Sequence, residues 1–129
     1  MFRLIKILSG RTNQAEPQML PATAAEYTIG EALVLENGSL VACPASGKPT
    51  YLSCEEKTIA EDGAPLSVYL ISPAMVLECP VVGDVSTLVV GKKVAISADA
   101  KGINAAASGS ATIYDLAYAD KGIVSVIFH

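Results

Sequence analysis

An all-β fold is what this 129-residue sequence predicts: a small antiparallel β-barrel or sandwich built from hairpins, with an extended N-terminal arm. Three observations carry the prediction. Short runs of β-branched and alternating residues are punctuated by turn chemistry along the whole chain, no stretch of twelve residues carries a helical apolar stripe, and one hairpin is written out in full around Asn37-Gly38.

Residues 2–8 alternate Phe2 and Leu4 with Arg3, and Ile5 and Ile7 with Lys6, the pattern of a short strand or a partner-binding arm. Residues 11–25 are polar, then rich in Ala, and Pro17 and Pro21 break them, so they read as a loop or extended arm. Two antiparallel strands within residues 33–42 flank Glu36-Asn37-Gly38-Ser39, because Asn-Gly readily takes the positive φ that a type I′ turn needs at both central positions. Residues 43–49 hold Pro44 and Pro49 around Gly47, which stops the ladder and forces a loop. Residues 50–53 begin the next strand; 51–56 and 66–71 carry the β-branched and aromatic residues of a pleated surface, with Asp62-Gly63-Ala64-Pro65 as the turn between.

Met75-Val76-Leu77-Glu78-Cys79 reads as a strand stopped by Pro80. Between 81 and 90, Gly83-Asp84 marks a turn and Thr87-Leu88-Val89-Val90 reads as either a strand or a buried connection, with the strand the first choice. Val94, Ile96 and Ala98 alternate with Ala95, Ser97 and Asp99, and Asp99-Ala100-Lys101-Gly102 closes a turn with Gly102 at positive φ, returning through 103–107. After the loop Ser108-Gly109-Ser110, residues 111–118 pair with 122–128 across Asp120-Lys121-Gly122. The last run, 123–128, is apolar on both faces except at Ser125 and belongs near the centre of the fold or at a subunit contact. The organisation expected is a strand and arm over residues 1–25 and one β-barrel domain over 26–129.

The composition narrows the function classes. With 51% apolar and 17% charged residues the chain can bury a core without staples. A net charge of −4 repels a phosphate backbone, and the nine Lys and Arg form no basic stripe, so neither nucleic acid nor anionic membrane is expected as a partner. The three cysteines, Cys43, Cys54 and Cys79, form no CxxC pair and suit a reducing, cytoplasmic setting. Lys6 interrupts an apolar start too short for a signal peptide, and nothing approaches the roughly 20 apolar residues of a membrane span.

Catalytic groups are sparse. The single histidine, His129, ends the sequence and reads as a passive tail. The cysteines read as buried structural residues, and Cys54 beside Glu55 and Glu56 is a poor thiolate. Glu55-Glu56 and Glu61-Asp62 could offer oxygen ligands to Ca²⁺, but their spacing matches no EF-hand loop and reads as a solvated turn. Gly83 and Gly91 form no phosphate-binding pattern. Tyr27, Tyr51, Tyr69, Tyr114 and Tyr118 read as core edge or interface rather than a sugar or peptide site. Glu31, Glu78 and Asp115 are the carboxylates that an enzyme would need to bury. No catalytic, cofactor-binding or metal-binding residue is therefore expected.

The run 27–42 (Tyr-Thr-Ile-Gly-Glu-Ala-Leu-Val-Leu-Glu-Asn-Gly-Ser-Leu-Val-Ala), then Gly47-Lys48-Pro49-Thr50-Tyr51-Leu52-Ser53, resembles small prophage-type proteins grouped with phage head decoration, or capsid cement, proteins. Gly91-Lys92-Lys93-Val94-Ala95-Ile96-Ser97 and the closing run 122–128 are similar in kind. The resemblance implies a compact β-barrel without catalytic residues, associating as a homo-oligomer, typically a trimer, on a capsid lattice at the virion surface. The reading beside it is a monomeric β-barrel module that binds a small molecule or peptide through loops 43–49 and 55–65.

Overall fold

The structure, a computed structural model, describes residues 1–8, 16–45 and 47–128. The strands run in chain order as β1 (Arg3–Ile7), β2 (Gln18–Ala22), β3 (Ala25–Tyr27), β4 (Ala32–Glu36), β5 (Ser39–Ala42) and β6 (Tyr51–Ser53). Next come β7 (Lys57–Ile59), β8 (Ala64–Leu70), β9 (Met75–Val82), β10 (Lys93–Ile96), β11 (Ile103–Asn104), β12 (Ala111–Asp115) and β13 (Ile123–Phe128). Two single 3₁₀ turns, Val85–Thr87 and Ala119–Lys121, interrupt them. The molecule is all-β, and it contains a small closed barrel.

That barrel is β2-β5-β4-β6-β8. The hairpin between β4 and β5 forms as its sequence requires, with φ of 51° at Asn37 and 81° at Gly38. Leu33, Leu40, Leu66 and Val68 fill the interior with Ala22, Tyr27 and Ile59. A second cycle of pairings runs β9-β11-β10-β12-β13 and returns to β9, with β1 added along half of one β9 edge. Its core holds Leu77, Ile96, Ile103, Ile113 and Val126, and Phe2 meets Phe128 edge-on at 5.4 Å. Val124, Ser125, Val126 and Phe128 are buried, so β13 lies at the centre of the fold.

Several expectations need correction. The end of the stretch read as a loop or arm is a barrel strand: β2 pairs with β8 from Gln18↔Val68 to Ala22↔Ala64. Pro17 just before it and Pro21 inside it hid the strand, but Pro21 lies directly opposite Pro65, and at a non-hydrogen-bonded pair neither residue owes the shared ladder a donor. Residues 11–15 lie outside the described residues. Ala64 and Pro65, read as turn, open β8, and β7 lies in what was read as acidic turn, where Thr58 and Ile59 are β-formers.

Pro80 does not stop β9. The Val81 N–H donates to Gly122 O on the β13 side, so the Pro80 nitrogen faces the opposite edge, in the gap where β1 (ending at Arg3↔Glu78) gives way to β11 (Ile103↔Val81). No ladder bond is missing there. Residues 87–90 are not a strand. The Asp84 carboxylate accepts from Ser86 N at 2.9 Å and starts a 3₁₀ turn, after which Leu88 plugs the core while Val89 and Val90 stay exposed. The turn before β11 places Ala100, not Gly102, at positive φ (60°), and the return strand covers only Ile103–Asn104. Gly122 does adopt the left-handed conformation, at φ 73°.

The rings are joined by backbone bonds from Ala32 N to Ala100 O (2.8 Å) and Phe2 N to Gly30 O (2.9 Å). Among the described residues, no helix is long and apolar enough to cross a membrane.

Candidate functional site

Two surface regions stand out. The first is a groove on the outer face of β9, where cavities of about 290 and 270 Å³ share Arg3, Glu78 and Ile123. Strand register places Arg3, Glu78, Ser125 and Asp115 in one row across β1, β9, β13 and β12. The Arg3 guanidinium donates to the Glu78 carboxylate and divides the groove. Lys121 lies over the Tyr118 ring at 5.7 Å, Lys6 over Tyr114 at 5.9 Å, and Asp115 accepts from Ala117 N at 2.6 Å. Each charge thus already has a neighbour that uses it structurally.

The second region is the open end of the first ring. Strand directions bring the C-terminal ends of β4 and β8 and the N-terminal ends of β2 and β6 to the same mouth. There Leu35 (44% exposed) and Leu70 (42% exposed) stand on the inward face next to half-buried Tyr51. The alternation in β4 and β8 encodes this rim, since the inward sequence simply continues one residue past the last covered position.

The carboxylates Glu31, Glu78 and Asp115 are not gathered into one site. Glu78 and Asp115 are separated by Ser125 in the row on β9, β13 and β12. Glu31 sits between the rings, 5% exposed, accepting from Thr28 N and Thr28 Oγ1 at 3.4 Å each. Burial pushes its carboxyl group above the ordinary range, the Thr28 bonds and Lys101 oppose that, and Asp99 adds to it.

The thiols are held in their neutral form. Burial pushes Cys43 up to about 11 and Cys79 up to about 12. Cys54, only half-buried, is raised chiefly by burial, with Glu55 adding and hydrogen bonds with Ser67 and Tyr69 opposing. In the acidic segment Asp62 accepts from Ala24 N at 2.8 Å and Glu55 faces Lys57 at 4.0 Å. Among the described residues, no three His, Cys, Asp or Glu side chains are placed to hold a metal ion. His129 lies outside the described residues.

The tyrosines are dispersed. Tyr27 is buried and donates to Thr23 O at 2.6 Å, Tyr69 lines a third cavity of about 180 Å³ beside Met1 and Leu4, and Tyr51, Tyr114 and Tyr118 sit as described. Gly83 and Gly91 are turn residues at φ 101° and 91°. Of the two loops read as a ligand site, residues 43–49 are tied to the second ring through Ser110 Oγ to Gly47 O (3.1 Å), while 55–65 contain β7, paired with β3 on the first. Neither loop lines the three cavities. No protein-family model matches this chain, and no curated protein matches it.

Proposed function

We propose that this chain is a non-enzymatic structural protein that self-associates and clamps a larger assembly, in the manner of the phage head decoration proteins that its hairpins resemble. The observation that carries the reading is the apolar mouth of the first ring, where Leu35 and Leu70 remain over two-fifths exposed. Taking roughly 2 kcal/mol for complete burial of a leucine, covering both contributes about 2 kcal/mol per copy. Away from the mouth, the raised Cys43 and Cys79 thiols and the structural bonds of Glu78 and Asp115 support the same role. A trimer on a capsid surface is the assembly the resemblance implies.

Sedimentation equilibrium from low micromolar to near-millimolar concentration tests this. The wild-type chain is expected to associate, and Leu35→Glu or Leu70→Glu to return it to monomer with its thermal unfolding little changed. A wild type that stays monomeric throughout overturns self-association. Association that survives both substitutions overturns the mouth as its site.

A further inference from the structure

Among the described residues, Glu31 is the one buried carboxylate, 5% exposed, and the other acidic side chains are half-buried or exposed. Buried Glu is rare unless firmly paired, and among the described residues the hydrogen bonds to its carboxylate are two long ones from Thr28. It stands at the joint between the rings. Its carbonyl accepts from Ser53 N at 3.0 Å, and the next amide, Ala32 N, makes the 2.8 Å bond to Ala100 O of the opposing turn. That turn presents one charge of each sign, Lys101 and Asp99. On its own ring Glu31 is flanked by the neutral phenol of Tyr27, whose proton its charge helps retain.

We propose that Glu31 makes the joint between the two rings pH-sensitive: uptake of a proton by its buried carboxyl group tightens the Ala32–Ala100 seam, and release of that proton loosens it. When the seam opens, water reaches the carboxylate and its proton affinity returns to the ordinary value of 4.5, whereas in the closed seam burial raises it. The closed form therefore binds the proton more tightly. Closure is firmest below pH 4.5, weakens as pH rises from there to the raised value, and is constant above it. Asp99 stays ionised across that window, because the Ser97 hydroxyl and the Lys101 N–H hold its carboxyl below the usual range. The proposal stands apart from any assembly role.

Amide hydrogen exchange across this pH range, corrected for intrinsic rates, is the test. Ala32 reports the seam; Ile71 (to Thr50 O) and Ala105 (to Val82 O) report the separate rings. Protection of Ala32 is expected to fall by up to about tenfold per pH unit within the window while the reference amides hold level. Glu31→Gln is expected to abolish the fall. Asp99→Asn should move it to lower pH by removing a like charge, and Lys101→Met to higher pH by removing an opposite one. Ala32 tracking the references, or a fall that persists in Glu31→Gln, overturns the proposal. Should Glu31→Gln not fold, the opposed shifts in the other two variants decide, and equal or absent shifts overturn it.

Discussion

Gly102 offers the sharpest test of how the second ring closes. Its N–H donates to Ser97 Oγ at 3.1 Å and its carbonyl accepts from Ser97 N at 2.9 Å, so both backbone groups are fixed. A Cβ built there would lie 2.4 Å from Pro80 O and 3.2 Å from Pro80 C. The obstruction is backbone, and ordinary contact begins at 3.4 Å, so Gly102→Ala must drive β11 and β9 apart by about 1 Å. They pair there through only Ile103↔Val81 and Asn104↔Val82, and the parallel seam has little to resist with. We expect a loss of about 3 kcal/mol, the upper part of the range for overpacking. In a domain of this size that lowers Tm by about 10 °C, read by circular dichroism with a matching fall in the denaturant midpoint. Gly102→Asn separates the two reasons a glycine can be needed. Asn is tolerated in the left-handed region, so a conformational need would make it milder than Ala, whereas crowding makes it at least as damaging. A Gly102→Ala loss under about 0.5 kcal/mol, or a clear advantage for Asn, refutes the argument from close approach.

Two further outcomes follow from the same geometry. Arg3→Ala should lower stability by less than about 1 kcal/mol despite its contact with Glu78, because the Arg3 side chain is 61% exposed and solvent screens the pair; a loss above about 2 kcal/mol in chemical denaturation would contradict a screened pair. A thiol reagent should modify half-buried Cys54 first, with labelling still slow at pH 8 because its thiol is raised, while Cys43 and Cys79 react only on global unfolding; mass spectrometry finding all three labelled together in native buffer contradicts that order.

The sequence made the local elements readable where one residue type decides the backbone. Asn37-Gly38 and Gly122 dictate their turns, and β4, β5, β12 and β13 follow from them. It misled where a residue's meaning depends on a distant partner. Pro21 looked like a breaker because Pro65, which makes it harmless, is 44 positions away in the chain. Pro80 looked like a stop because nothing local reveals that its missing donor points into the gap between β1 and β11. Gly102 was legible as necessary but not for the right reason, since the close approach of Pro80 is a contact of the closed ring. Glu31 follows the same rule. One Glu among thirteen acidic residues carries no mark in its neighbours, and burial singles it out only when the Ala100 turn packs against Ala32.

The joint between the rings also limits how far a titration there can reach. Ala32, Cys43 and Leu52 belong to the first ring by sequence and pairing, yet they are buried in the core of the second, with Val34 and Ile71 packed at its margin. At about 25 cal/mol per Å² of apolar surface removed from water, that shared wall holds the rings together through many contacts that do not respond to pH. Ionising one carboxylate opposes only the bonds beside it. The Glu31 effect should therefore be local, loosening the Ala32–Ala100 bond while the wall stays packed. Cooperative separation of the rings across the Glu31 titration would mean that the apolar wall contributes far less than its burial implies.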